Sequence, residues 1–303
     1  FASVYAQDNR LRLIRADVLE NVTINGESIQ YLKGNVEFKK GEMTMNCNWA
    51  RFNKKTEKGF LFENVSMVKD DQNLTCDSLF VDSPKNIMIA YSNTHVWDTT
   101  YSLIADTLYY FSELDSGSAN GNATLVQDKQ IIKSNTIEYV ELPESDGVSY
   151  AARGDVIITE EERIATCGEA IYDRENGKTV MKINPKIIDN EQTIAGSEIY
   201  LSYNDDVLDR VFIPSDAHVT NPINGFREWI EVIDGDSVSY SDSVNFSDDM
   251  TGSALRGFFI DGKLDSMRLE GMATTLYHIF EDSIYQGKNK ASGDTIQMKF
   301  KDN

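Results

Sequence analysis

The sequence predicts an all-β chain: an elongated, folded-over antiparallel β-sheet built from two-strand repeats of about 29 residues. Three observations predict it. A 14-residue phrase recurs at a constant interval, apolar residues alternate within each copy, and that alternation slips at one fixed position. The phrase reads GNVEFKKGEMTMNC at 34–47, ENVSMVKDDQNLTC at 63–76, SNTHVWDTTYSLIA at 92–105 and GNATLVQDKQIIKS at 121–134. Asn35, Asn64, Asn93 and Asn122 lie 29 residues apart, as do Cys47, Cys76, Ala105 and Ser134. Later copies are looser: Asp155 follows Asn122 by 33 residues, and Asn184 follows Asp155 by 29. A fixed period of this length marks stacked supersecondary units, each burying a face against its neighbours.

Within a unit, Val36 and Phe38 come first, then the polar turn Lys39-Lys40-Gly41, then Met43, Met45 and Cys47. Val65 with Met67, and Leu74 with Cys76, repeat the scheme. Period 2 broken by polar turns means strands with one buried face, whereas helical spacing is not sustained and Gly, Asn and Asp interrupt too often. On this pattern Val36, Phe38, Met45, Val65, Met67, Leu74, Val96, Leu103, Leu125 and Ile132 face one interior.

After Cys47, Cys76, Ala105 and Ser134 comes an Asx in every copy: Asn48, Asp77, Asp106 and Asn135. Two residues past each lies Ala50, Leu79, Leu108 or Ile137, so the alternation has slipped by one residue. An uncorrected slip turns every later side chain to the wrong face, so the strand must bend or bulge there. The spacing predicts a strand corner at these four Asx residues, with Ala50, Leu79, Leu108 and Ile137 beyond it facing the same interior. A plain turn between two short strands is the alternative.

The pattern weakens at 214–228, PSDAHVTNPINGFRE, where Pro214, Pro222 and Asn224-Gly225 predict a boundary or long loop. Afterwards GDSVSY at 235–240 is echoed by GDTIQM at 293–298, an offset of 58, or twice 29. The expected organisation is residues 1–6 as the remnant of a signal peptide, 7–220 as the repeat domain, and 221–303 as a divergent continuation of the stack. Val4-Tyr5-Ala6 carries the residue types of a signal-peptidase site with the cut before Gln7, which predicts export. FKDN ends the chain directly after an alternating strand, the pattern of a stack cut short.

The net charge of −20 argues against nucleic acid and against an anionic membrane surface, both of which are held by Lys and Arg. It is most simply the solvated face of a soluble chain. No stretch reaches the roughly 20 apolar residues that span a bilayer. Three cysteines, Cys47, Cys76 and Cys167, are too few for a disulfide framework. Cys47 and Cys76 fill slots that Ala105 and Ser134 fill elsewhere, which predicts small buried side chains and free thiols. Strands two apart would hold Cys47 and Cys76 about 9–10 Å from each other, beyond the ~7 Å reach of a disulfide. His95, His218 and His278 fit no metal-ligand spacing. DGDSVSYSD at 234–242 lacks the Gly and distal Glu of a calcium loop and reads as a turn before a strand. The Asn-x-Ser/Thr triplets at Asn64 and Asn122 sit at the repeated turn, where turn chemistry explains them. No nucleophile–base constellation can be assembled, so no catalytic residue, metal or cofactor is expected.

The motif GNVEF…MNCNWARF, with ENVSM…LTCDSLFV and SNTHVW…IADTLYY, resembles the OstA-like repeats of the lipopolysaccharide transport proteins LptA, LptC and the N-terminal domain of LptD. The resemblance covers about 11–220 well and 228–303 through less typical segments. It implies a β-taco or β-jelly roll whose apolar groove shields lipopolysaccharide acyl chains in the periplasm. The fourteen interior positions named above would then line the groove. It also implies end-to-end docking, with itself or with membrane-anchored LptC-like and LptD-like partners. This chain departs in its length and acidity, which leave acyl-chain burial rather than phosphate binding as the driving force. The alternatives are a structural or adhesive β-solenoid with a closed, self-packed core, and a polysaccharide-active solenoid enzyme.

Overall fold

The computed structural model describes residues 10–111, 116–127, 129–141, 148–173, 176–204, 207–260 and 263–299. Residues 1–6, expected as a signal-peptide remnant, and the terminal FKDN lie outside them. Apart from one 3₁₀ turn at Ser83–Lys85, every regular element among the described residues is a β-strand. The chain divides into two compact units, Phe1–Val156 and Ile157–Asn303.

The first unit is an antiparallel meander. Its edge is formed by β1 (Arg12–Arg15) and β2 (Val18–Ile24), both paired to β3 (Glu27–Lys40). Then come β4 (Met43–Asn53), β5 (Lys58–Lys69), β6 (Gln72–Asp82), β7 (Ile87–Trp97), β8 (Tyr101–Phe111), β9 (Ser116–Gln127) and β10 (Gln130–Glu141), each paired with the strand before it. Each repeat is therefore one hairpin, and the recurrent 14-residue phrase is the half of the hairpin that holds its tight turn.

Every strand from β4 to β10 runs through its bend without ending, so the alternative of two short strands joined by a turn is not what forms. The register shifts at the bend instead, for example between Asn46 and Trp49 on β4 and between Thr75 and Ser78 on β6. Two rings measure how far the sheet folds over. Met45 opposes Phe38, and Phe52 lies seven residues further along β4, about 23 Å away at ~3.3 Å per residue if the strand were straight. The Phe38 and Phe52 rings are 5.3 Å apart between centroids. The two halves of the strand thus face each other across an apolar interior.

The strand β11 (Val148–Glu160) leads into the second unit. There the bent strands are mostly cut into two shorter ones: β12 (Arg163–Asp173) pairs one half with β13 (Lys178–Lys182) and the other with β14 (Lys186–Asp189). Next come β15 (Gln192–Ala195), β16 (Glu198–Asn204), β17 (Val207–Ile213), β18 (Ala217–Ile233), β19 (Asp236–Gly252), β20 (Ala254–Ile260), β21 (Lys263–Glu281) and β22 (Ile284–Lys299). The halves pair as β14–β15–β18 on one side and β13–β16–β17–β20 on the other.

The segment 214–228, expected as a boundary or loop, is largely strand: β18 pairs with β19 along its whole length, Pro222 opposite Ser247. Pro222 is tolerated because β18's other side meets β15 only up to Thr220 and β22 only at Phe226, so a missing donor costs no ladder bond there. Beyond Phe226 the hairpin stands exposed, with Ile230 at 67% and Val232 at 71% of full accessibility. At its root a buried pair joins two strands, Asp248 accepting from both the backbone N–H and Nδ1 of His278 at 2.7 and 3.0 Å.

Candidate functional site

The corner is built from one small device repeated. On β3, β5, β7 and β9 two successive residues take left-handed backbone: Gly34-Asn35, Glu63-Asn64, Ser92-Asn93 and Gly121-Asn122. Each pair faces a single Asx on the strand that follows it, the two-against-one count of a β-bulge, which bends the strand and raises its twist, and it is bridged to the Asx of the strand before it. Asn93 donates to Asp77 Oδ2 at 2.8 Å, and Asn122 to Asp106 Oδ2 at 3.0 Å. Asn48 reaches Glu63 and Asn135 reaches Asp155, both at 3.4 Å. Asn tolerates the left-handed region better than other chiral residues, which is why it recurs on the bulged side.

Sequence reasoning missed the first member, Asp17. It accepts from Asn35 Nδ2 at 2.8 Å, and its own backbone N–H donates to the Gly34 carbonyl at 2.9 Å. In the second unit the same backbone bond is made by Gly168 to Ile183, Ser197 to Ser215 and Ser253 to Gly271, without an Asx. The left-handed pair Ile183-Asn184 was the only available signal, through its 29-residue step from Asp155.

The slot before each corner residue is small for a reason. Cys76 Sγ donates to the Ser78 carbonyl at 3.2 Å and Ser134 Oγ to the Thr136 carbonyl at 3.0 Å, so the side chain caps the bulge from within. All three cysteines are buried free thiols. Burial pushes Cys47 and Cys167 up to about 11 and Cys76 up to about 12, against 9.0 in the open. The thiols are therefore protonated and inert at neutral pH.

Of the fourteen expected interior residues, Val36, Phe38, Met45, Ala50, Val65, Leu74, Leu79, Leu103, Leu108, Leu125, Ile132 and Ile137 are buried. Met67 and Val96 are half-buried. These two border a small cavity of about 30 Å³ together with Leu74, Leu79 and Leu108. Met43, Met88, Tyr101, Tyr110 and Tyr139 complete its apolar wall, with Lys69, Gln72 and Asn73 beside them. It draws residues from both halves of the folded sheet, so it lies between them.

A larger cavity, about 340 Å³, lies in the second unit and was not anticipated. The histidines do not converge: His95 stacks on Trp97, His218 meets Asp249, and His278 meets Asp248. Among the described residues no three His, Cys, Asp or Glu side chains are grouped to hold a metal.

Compared with known proteins, the chain matches the family described as OstA-like protein over residues 8–72 and 55–197. Among solved structures it is similar to LptH, titled the LptA homologous periplasmic component of the conserved lipopolysaccharide transport device from Pseudomonas aeruginosa. That similarity is 14% in sequence, covers 36% of this chain and 80% of LptH, and has a TM-score of 0.32. No curated protein matches.

Proposed function

The chain belongs to the OstA-like protein family, and on that premise we propose that it is a periplasmic lipid carrier, a bridge shielding acyl chains of lipopolysaccharide or a similar lipid on their way to the outer membrane. The observation that carries the reading is the folded-over sheet, whose two halves enclose an interior of like apolar residues repeated hairpin after hairpin. Each buried CH₂ is worth about 0.8 kcal/mol, so several acyl chains need no charged anchor. Equivalent positions in successive hairpins bind nearly alike, which lets a chain pass along without falling into one deep site.

In the first unit the cavity at Met67 and Val96 holds only about 30 Å³, so an acyl chain must displace side chains to enter there. Met43, Met67 and Met88 around the opening suit this, because methionine is unbranched and repacks at low cost. The same closure favours the second reading, a structural β-solenoid filled by its own side chains.

A photoreactive residue at Val96 or Met67, with outward-facing Ile104 as control, separates the two in cells. The carrier reading expects lipopolysaccharide adducts at the first two sites and none at Ile104. Absence of adducts at both Val96 and Met67 leaves the self-packed solenoid.

The carrier also needs neighbours. Among the described residues the edge formed by β1 and β2 pairs only with β3, and Ile14, Val18 and Leu19 on it are exposed. The outer side of β22 meets β18 at a single residue. Both edges offer strand addition to a second copy or to a membrane-anchored OstA-like partner. Val18→Pro or Ile296→Pro should weaken that association by removing a ladder donor. Full association in both variants rules out edge docking.

A further inference from the structure

Past the corner, the strands of the first unit change character. GFLF at 59–62, LFV at 79–81 and IMIAY at 87–91 are almost continuously apolar. Runs of that kind belong to strands covered on both faces, whereas a sheet with one wet face alternates. One face is covered, because Leu32, Ala50, Leu61, Leu79, Ala90 and Leu108 are only 0–5% exposed in the interior.

The other face points outward. Tyr31, Arg51, Phe60, Phe80, Ile89 and Tyr109 oppose one another in a row from β3 to β8. Lys33, Trp49, Phe62 and Tyr91 stand in the row beside it. All ten are half-buried or exposed, Phe60 at 38% and Tyr109 at 36%. Across the corner, the outward row on the same strands reads Glu37, Asn46, Ser66, Thr75, His95 and Ile104, polar but for the last. The aromatic band is confined to one half of the sheet.

Its charge is the reverse of the chain's. In a chain of net charge −20, these rows hold Lys33 and Arg51 and no Asp or Glu from β3 to β8. Neither cation has an ion-pair partner among the described residues. Carboxylates border the band: Glu20 opposite Tyr31, Glu63 accepting from Trp49 Nε1 at 3.3 Å, and Asp82 paired to Lys58 at 2.8 Å.

The rings lean on one another. Trp49 stacks on Phe62 at 4.0 Å between centroids, and Phe60 lies 4.8 Å from Phe80 and 5.9 Å from Phe62. Faces spent on neighbours leave edges for a visitor, and a ring edge carries positive potential. A nucleobase stacks on a ring face, so the band is a poor platform for one. A second copy docked through the same band brings two more cations and no carboxylate to meet them. A bilayer is far wider than the band and meets the whole acidic chain. A partner the size of the band feels mainly Lys33 and Arg51, because charges beyond about 10 Å are screened. Five strand spacings of about 4.8 Å make the band about 24 Å wide, the length of a helix of about 16 residues.

We propose that this outward band docks a short amphipathic segment of another protein, apolar along one side and bordered by Asp or Glu. The site lies outside the folded sheet and is independent of what the interior carries.

Two helical peptides of about 16 residues test it on the full chain by fluorescence anisotropy. Both carry leucines along one face, bordered by glutamates in one peptide and by lysines in the other. The glutamate peptide should bind roughly tenfold tighter, against a net charge that favours the lysine peptide everywhere else. Lys33→Glu with Arg51→Glu should reverse the order, and Phe60→Ser with Phe80→Ser should abolish binding of both. A photoreactive leucine in the glutamate peptide gives a reading on the unaltered chain, with adducts expected on outward residues of 49–62 and 78–91. Equal or tighter binding of the lysine peptide overturns the proposal. So do adducts confined to inward Leu61 and Leu79, which place the peptide in the interior. Phosphatidylglycerol vesicles are the third probe. Vesicle binding that is lost in Lys33→Glu with Arg51→Glu, with no preference between the peptides, makes the band a membrane contact and overturns the protein partner. Lipid adducts at Val96 without a peptide preference leave the carrier reading and remove this one, and the opposite pair of results does the reverse.

Discussion

In the first unit every hairpin passes its bend the same way: two left-handed residues face one Asx, and the cavity between the sheet halves is about 30 Å³. In the second unit most strands are cut at the bend, though β12 and β21 run through it, Gly168, Ser197 and Ser253 stand where the Asx would be, and a cavity of about 340 Å³ remains. The backbone bond across the corner is common to both. What differs is the side-chain bridge over it: an Asx throughout the first unit, but in the second a hydroxyl pair at one corner, Ser197 Oγ to Ser215 Oγ at 2.6 Å, and no side chain at all at Gly168. A bridged bulge restrains the bend of its strand, which favours a uniform separation of the sheet halves and close filling by side chains of similar size. Where the Asx bridge is missing that restraint is weaker, and the larger of the two cavities lies in that unit.

The largest test of this contrast truncates the interior of each unit. Phe38 is fully buried and packs on Phe52, so Phe38→Ala should cost about 3–5 kcal/mol. Leu208 already borders a void, so Leu208→Ala forfeits fewer contacts and should fall toward the lower end of the 2–5 kcal/mol range. Amide hydrogen exchange followed by strand reads each unit separately. Equal losses in the two units would mean that the void is filled by relaxation and the contrast is not real.

Much of this was legible from residue order. Period-2 alternation places Val36, Phe38, Met45 and Leu74 inside because a strand's faces are fixed by parity alone. The slip after Cys47, Cys76, Ala105 and Ser134 locates the corner because a bulge must leave a parity error in the chain. The other half of the bulge was not legible: left-handed backbone at Glu63 or Ser92 has no residue signature, and Asp17 stands before the first full repeat. The void of the second unit was illegible for a different reason. Its walls come from seven strands of irregular spacing, and empty volume is a property of packing that no single strand's pattern carries. Pro222 misled because a proline inside a strand is harmless on an unpaired side, and only the pairing partners reveal which side that is.

The second test uses pH. Cys47 and Cys76 belong to the first unit and Cys167 to the second, all buried. Desolvation raises their folded-state values from 9.0 to about 11, about 12 and about 11, respectively. A group whose folded value is raised contributes stability that is fully present below the unfolded value and is lost as pH rises through the folded one. Each thiol thus withdraws about 1.4 kcal/mol per pH unit once pH exceeds 9. At pH 10 the first unit should lose roughly 3 kcal/mol and the second roughly half of that. Exchange rates measured between pH 8 and 10.5, after correction for intrinsic exchange, check this, and Cys76→Ala should remove its share in the first unit. A larger alkaline loss in the second unit would show that other groups control it.

The smallest effect isolates the corner itself. Gly121 and Gly41 both have positive φ, +77° and +56°, so alanine at either pays the left-handed penalty of about 1–2 kcal/mol. They differ in what a new methyl group would touch. At Gly41, in the tight turn, nothing lies within 4 Å. At Gly121 the methyl would sit 2.3 Å from Asp106 Oδ2 and 2.9 Å from its Cβ, and would push that carboxylate off Asn122. Losing this exposed hydrogen bond adds about 1 kcal/mol, so Gly121→Ala should be the worse of the two by that amount. The comparison cancels the backbone term and leaves the bridge. With Asp106→Ala in the background, the methyl group meets no carboxylate and the difference between the two glycines should vanish. Persistence of the gap in that background would place the cost in the backbone and not in the Asx bridge, and the link between corner chemistry and interior spacing would lose its support.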